Sequence, residues 1–348
     1  MNGVNGTRSD ARVLRVFVVG GTGYIGKHLV RELVRRGHDV VCLARKTAGV
    51  NGAASEDDTR LALAGAAVRF GDVTDAISVA RDGLRGETFD VIVSCLATRT
   101  GGVDDSWQIE HQANLSVLNA GKAAGAHHFV YLSAICVQKP LLAFQHAKLA
   151  FERALVQSGL TYSIVRPTAF FKSLSGQVDA VERGKPFLVF GDGELTACKP
   201  ISESDLARFM ADCLDLPDRH NAILPIGGPG AAITPKQQGA MLCTLSGRPI
   251  RYRHVPVRMM DAIIFVLSAL GGLFPKMRDK AEFARIGRYY ATESMLVLDE
   301  ASGQYVADRT PSYGSDTLHD FYVHVLEEGL AGQELGAHAV TAKARSRA

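Results

Sequence analysis

Seven residues near the start of the chain, Gly20-Gly-Thr-Gly-Tyr-Ile-Gly26, constrain its fold more than any other feature. Residues 14–19 before them are apolar and strand-like, and residues 27–36 after them have helical spacing closed by Gly37. Glycines at 20, 23 and 26 in a strand-to-helix turn suit a dinucleotide pyrophosphate. Gly20 permits the tight turn, Gly23 lets backbone approach the phosphates, and Gly26 lets helix pack on strand. Thr22, Tyr24 and Ile25 complete a loop whose helix N-terminus faces the phosphate charge.

The next strand, residues 39–44, ends in Arg45-Lys46, where a site selective for NAD would carry an Asp or Glu on the ribose hydroxyls. Two cations there invite the 2′-phosphate of NADP, which a guanidinium can grip in a fork. The residues therefore point to NADPH rather than NADH.

The balance of 39 Lys and Arg against 36 Asp and Glu leaves a net charge of +3, too small to argue for a nucleic-acid partner. Six cysteines, at 42, 95, 136, 198, 213 and 243, are scattered without CxxC or metal-ligand spacing. They read as buried thiols of a reducing compartment, with no metal and no iron–sulfur cluster expected. Residues 1–12 are polar and read as a disordered start without a signal or transit pattern. A cytoplasmic, bacterial-style protein is the expectation. Residues 259–274 are apolar with basic flanks at Arg258 and Lys276, but short of the roughly 20 residues that span a bilayer. A buried helix is expected there; a cap over a cleft and a peripheral membrane contact are the alternatives. Residues 331–348, small and polar, read as a flexible tail.

Further strands are expected at 67–72, 91–96, 128–133 and 161–166, separated by helical patterns. This alternation predicts an α/β fold: a doubly wound parallel sheet of the Rossmann type, with a smaller C-terminal substrate-side region. Residues 51–59 read as a solvated loop within a cofactor domain of residues 13–167. The substrate-side region, residues 168–330, is punctuated by Gly and Pro and carries the remaining sheet elements. Sites in such sheets lie at the carboxyl ends of the strands, which directs attention to residues 72–73, 97–99, 133–135 and 167–170.

The glycine loop, Gly71-Asp-Val-Thr-Asp75, Tyr131-Leu-Ser-Ala134, Lys148 and Arg166-Pro-Thr-Ala-Phe-Phe171 together resemble the extended and atypical short-chain dehydrogenase/reductases. The resemblance implies that Asp72 and Val73 flank the adenine, that Leu96 and Ala97 pass the nicotinamide ribose, and that Pro167 backs the nicotinamide. It also implies a catalytic Ser, here Ser133, and a Tyr and Lys spaced YxxxK on one helix. Residues four apart share a helix face, so the lysine can lower the phenol pKa. Here the helix reads Phe144-Gln-His-Ala-Lys148: the lysine is kept and the phenol is absent. Phe144 cannot exchange a proton with a carbonyl or alcohol, which argues against ordinary alcohol–ketone chemistry. Lys148 is left to hold the ribose hydroxyls or to donate the proton itself.

A longer run, Ser133-Ala-Ile-Cys-Val-Gln-Lys-Pro140 followed by Phe144-Gln-His-Ala-Lys148, resembles a narrower group, the NADPH-dependent divinyl chlorophyllide 8-vinyl reductases. The likeness continues through residues 165–178, 191–207 and 226–230. It implies reduction of a vinyl group on divinyl chlorophyllide, or on its protochlorophyllide precursor, in chlorophyll or bacteriochlorophyll synthesis. Such a substrate is broad and apolar with a carboxylate edge. Phe170, Phe171 and Phe187 are candidate walls, and Lys172 or Arg251 a candidate carboxylate partner. Two other readings share the fold: an isoflavone-reductase-like enzyme of a small aromatic, and a non-catalytic NADP-binding sensor or assembly factor.

Overall fold

In the computed structural model, the described residues are 12–47, 54–98, 101–272 and 274–329. Residues 1–11, part of the 51–59 loop, Arg99 and the 331–348 tail lie outside them. The strands β1 (Arg15–Val19), β2 (Asp39–Ala44), β3 (Ala67–Phe70), β4 (Val91–Ser94), β5 (His128–Leu132) and β6 (Thr161–Pro167) form in chain order. After β7 (Phe187–Phe190), the chain returns to the main sheet with β8 (Ala222–Ile226). The seven-stranded sheet runs β3-β2-β1-β4-β5-β6-β8, every pair parallel. Order reverses between β1 and β4, which opens the crevice where such sheets bind ligands.

The central strands are continuous apolar runs because both faces are covered. On one face Val16 and Val18 pack with Leu29, Leu33 and Met210, drawing in the helices Tyr24–Arg35 and Glu203–Asp212. On the other, Phe17 and Val19 pack with Leu118, Phe151 and Leu155 from the helices Asn114–Ala123 and Ala143–Val156. Each such side chain contributes roughly 1.5–3 kcal/mol by leaving water. A third cluster, with Phe171, Phe187, Leu242 and Tyr322, builds the region around β7 and its parallel partner β9 (Tyr252–Val255).

Two expectations fail. Residues 56–59 belong not to a loop but to the helix Glu56–Ala62, started by a capping box in which Ser55 and Asp58 satisfy each other's backbone amides. The helix Val257–Gly271 is not buried at all: none of its residues is enclosed, and Phe265 is 75% exposed. It packs antiparallel-hairpin fashion mainly on the helix Pro275–Thr292, and Ile263, Val266 and Leu270 remain exposed.

Candidate functional site

The glycine loop has the geometry that its spacing requires. Gly20 sits at φ +76°, and a Cβ on it would lie 2.5 Å from the carbonyl of Cys95 at the end of β4. A Cβ on Gly26 would lie 2.2 Å from the Gly20 oxygen, so the helix Tyr24–Arg35 can approach β1 this closely only without a side chain there. Gly23 caps that helix, its carbonyl accepting from Lys27 at 3.0 Å. The first-turn amides of Tyr24, Ile25 and Gly26 have no intrahelical acceptor, as at any helix start, and Thr22 precedes them in the turn. No acidic residue occupies the first turn, leaving an anion cradle that fits a pyrophosphate.

The other sequence-predicted residues gather along the same carboxyl edge. Arg45 and Lys46 are exposed just past β2. Asp72 is exposed past β3, its carboxylate accepting from the amide and hydroxyl of Thr74, while Val73 packs against the core. Leu96 is buried beside the Gly20 turn and Ala97 is exposed. Pro167 closes β6 and is buried. Phe170 is half-buried, its ring 6.5 Å from that of Tyr24. The Lys172 ammonium stands 4.7 Å over the same Tyr24 ring, whose hydroxyl donates to Glu203 at 2.6 Å. Lys172 and Phe170 therefore belong to the phosphate-loop side of the crevice.

Phe171, expected as a substrate wall, is a core residue at 2% exposure, held by the cluster around Tyr322; Phe187 belongs to the same cluster and also lines the cavity described below. Ser133 is also withdrawn: buried at the end of β5, it donates to Glu152, which in turn binds Arg166. With its hydroxyl committed to a carboxylate inside the protein, Ser133 braces β5, β6 and the lysine helix. Arg251 is exposed, with its carbonyl accepting from Phe187.

Lys148 is held inside this edge by an ion pair. Its ammonium is 2.8 Å from a Glu110 carboxylate oxygen, 3.3 Å from the Leu132 carbonyl and 3.4 Å from the Tyr131 hydroxyl. Both charged side chains are almost fully enclosed, at 7% and 1% exposure. Burial alone would lower the lysine's pKa, but the Glu110 carboxylate and the Tyr131 oxygen outweigh it and hold it above the ordinary range. The ammonium is thus a fixed cation, better suited to orienting and to stabilising developing negative charge than to giving up a proton. Phe144, one turn earlier, is buried among Ile135, Cys136, Leu142, Tyr289 and Met295.

Glu110 was not foreseen among the candidate residues. It lies on a π-helical turn, Trp107–Ala113, and its second oxygen accepts from the Thr98 amide at 2.9 Å. Ser106, Glu110 and Asn114, spaced by four, are all buried, and Asn114 accepts from Ser94 at 2.6 Å. A polar stripe at helical spacing facing inward was the available signal. Among the residues after β6, a cavity of about 270 Å³ is lined by Ser173, Leu174, Phe187, Leu195, Gln238 and Tyr290.

Residues 20–217 match a family model described as NAD(P)H-binding. Over 330 residues the chain is 54% identical to the chloroplastic divinyl chlorophyllide a 8-vinyl-reductase of Zea mays, covering 93% of this chain and 82% of that protein. Over 331 residues it is 53% identical to the protein of the same name in Arabidopsis thaliana, covering 93% and 79%. Among solved structures, an NADPH-dependent quinone oxidoreductase of Escherichia coli complexed with NADPH matches with a TM-score of 0.61 at 19% identity, over 89% of this chain and 99% of that one. That likeness is one of fold. A glycine cradle at the crevice of a doubly wound parallel sheet, with the family match across it, defines an NAD(P)H-binding α/β protein. Within that class the chain belongs to the divinyl chlorophyllide a 8-vinyl-reductase family.

Proposed function

We propose that the protein reduces the 8-vinyl group of divinyl chlorophyllide, or of its protochlorophyllide precursor, to an ethyl group with NADPH. The observation that carries this reading is the charged, buried Lys148–Glu110 pair beside a phosphate cradle with Phe144 where a phenol would serve a carbonyl. A vinyl group conjugated to a macrocycle does not need that phenol, because the π-system itself spreads the developing charge. Membership of the reductase family supports the same reaction. Bound NADPH supplies the hydride.

The chain's residues supply the rest. The loop amides take the pyrophosphate, Arg45 and Lys46 meet the 2′-phosphate, and Leu96, Ala97 and Pro167 border the nicotinamide end. Lys148 presents a positive field toward the ribose and the reacting carbons, kept charged by Glu110. At about 270 Å³ the cavity is below the roughly 300–1,000 Å³ of most ligand clefts. One edge of a macrocycle fits inside and the remainder lies over the opening.

The purified protein with NADPH should yield a product two hydrogens heavier than divinyl chlorophyllide by mass spectrometry. Cofactor oxidation without that gain would refute the reading. Arg45→Ala should weaken NADPH by roughly 1.5–3 kcal/mol and leave NADH nearly untouched, since only the former carries the 2′-phosphate. Equal losses in a cofactor titration would remove Arg45 from the site.

The protein also makes a peripheral membrane contact in this reading. No helix among the described residues is long and apolar enough to cross a membrane. The hairpin Val257–Gly271 and Pro275–Thr292 nevertheless offers Ile263, Phe265, Val266 and Leu270 outward, with exposed Arg258 and Arg278 at its rim. Apolar side chains framed by cations suit an anionic lipid surface. The protein should float with phosphatidylglycerol vesicles, and Phe265→Asp should release it. Wild-type protein that stays at the bottom of the gradient would leave the hairpin as a cap over the cleft.

A further inference from the structure

The lysine helix, Ala143–Val156, begins without a cap of its own. Its N-cap residue, Leu142, carries no side-chain oxygen, whereas Ser, Thr, Asp and Asn are the residues that satisfy a helix start. Two other side chains serve instead. Gln145 turns its Oε1 back onto the amides of Leu141 at 2.7 Å and Leu142 at 3.0 Å, and the Ala143 amide donates to the Oε1 of Glu282 at 2.9 Å. Glu282 comes from the helix Pro275–Thr292, 139 residues along the chain, and is 5% exposed. A buried carboxylate at the positive end of a helix makes a charge-assisted bond and complements the helix dipole.

The other Glu282 oxygen pairs with Arg285 at 3.1 Å, and Arg285 donates to the Ser268 hydroxyl at 2.8 Å on the helix Val257–Gly271. A polar chain thus runs from the outer helix of the hairpin to the start of the lysine helix. Tyr289 adds a second tie, its hydroxyl donating to the carbonyls of Cys136 at 2.9 Å and Lys139 at 3.1 Å. Ile286 reaches the other member of the ion pair. It seats against Gly101, where a Cβ would lie 2.5 Å from its Cδ1, and the Gly101 amide donates to the hydroxyl of Thr98, whose own amide donates to Glu110. One helix of the hairpin therefore grips the segments that present both Lys148 and Glu110.

We propose that Glu282 is a positioning residue for Lys148, a cap lent by the hairpin that fixes where the lysine helix begins. This rests on the vinyl-reduction reading. Lys148 stands five residues beyond Ala143, roughly 7.5 Å along the helix axis, so a shift of the first turn is passed to the ammonium. The Glu282 carboxylate is committed to Ala143 and Arg285, and it acts through the helix rather than on the reacting atoms.

Glu282→Ala should lower kcat/KM for vinyl reduction by about tenfold or more, since a misplacement on the order of 1 Å can cost roughly 100-fold. The variant should fold, because the partner it strands, Arg285, is 38% exposed and keeps Ser268. Glu282→Gln keeps a carbonyl oxygen for the Ala143 amide and should recover most of the loss. Deuterium exchange across residues 143–145 should quicken in the Ala variant and not in the Gln variant. Thr317→Ala, which removes the cap of the distant helix Leu318–Glu328, should leave turnover within about threefold of wild type. The decisive comparison is a double-variant cycle: added to Lys148→Ala, Glu282→Ala should cost less than about twofold more, because its effect runs through the lysine. An equal loss with and without Lys148, or a Glu282→Ala enzyme at nearly the wild-type rate, would overturn the proposal. Wild-type protein that leaves the vinyl group intact would overturn the vinyl-reduction reading, and this role with it.

Discussion

Lys148→Ala should cost the protein both stability and turnover, and a double variant should separate the two losses. Removing the ammonium leaves the Glu110 carboxylate, only 1% exposed, without its counter-charge. Stranding one member of a buried pair typically costs about 3–5 kcal/mol, whereas removing both is far milder. Lys148→Ala/Glu110→Gln should therefore unfold in urea nearly as late as wild type while remaining inactive. The kinetic loss should be on the order of 100-fold or more in kcat/KM. A raised KM for NADPH would locate that loss at the ribose, and a lowered kcat at saturation would locate it at the reacting carbons.

The pair also sets a pH signature. Because Lys148 is held above its ordinary pKa, its contribution is complete below the unfolded lysine value and disappears only as pH rises through the folded one. Stability from this pair should thus be flat across neutral pH and fall in the alkaline range. Wild-type turnover and stability in Lys148→Ala would show the side chain to be incidental.

Gly26→Val should abolish binding of NADPH and NADH alike. The new Cβ would meet the Gly20 oxygen at 2.2 Å and the Gly21 Cα at 2.8 Å, both backbone atoms of the turn itself. Neither can yield without moving the helix Tyr24–Arg35 away from β1, which re-aims the amides meant for the pyrophosphate. Cofactor fluorescence should show no saturable binding, with circular dichroism retaining the helical signal. Affinity equal to wild type for either cofactor would contradict the cradle. The contrast with Arg45→Ala is diagnostic, since that change should discriminate between the two cofactors and this one should not.

The cofactor half of the fold was legible because its signals are local. The six expected strands each appear within two residues of their expected ends, since a buried parallel strand writes itself as a short apolar run. Where burial is decided by distant partners, the chain is harder to read. Residues 257–271 are as apolar as a core helix, and only the structure shows that they pack mainly on one neighbouring helix and stay largely exposed. Phe171 looks like a pocket wall beside a strand end, but Tyr322 and Leu242, far along the chain, enclose it. Ser133 occupies its expected place at the end of β5, and Glu152 and Arg166 determine which way it faces.

The same distinction explains the site. Gly20, Gly26 and Lys148 could be found from spacing, because each acts within its own turn or helix. Glu110 is 38 residues from Lys148, and although a buried polar stripe marks it, only the fold shows that it meets the lysine.

The central claim, vinyl reduction at this site, is tested most directly by the absorbance of divinyl chlorophyllide mixed with the purified protein and NADPH. Loss of one conjugated double bond should move the Soret band to shorter wavelength, at a rate set by enzyme concentration and greater with NADPH than with NADH. A Soret band that stays in place while the protein is folded and saturated with NADPH would contradict the account.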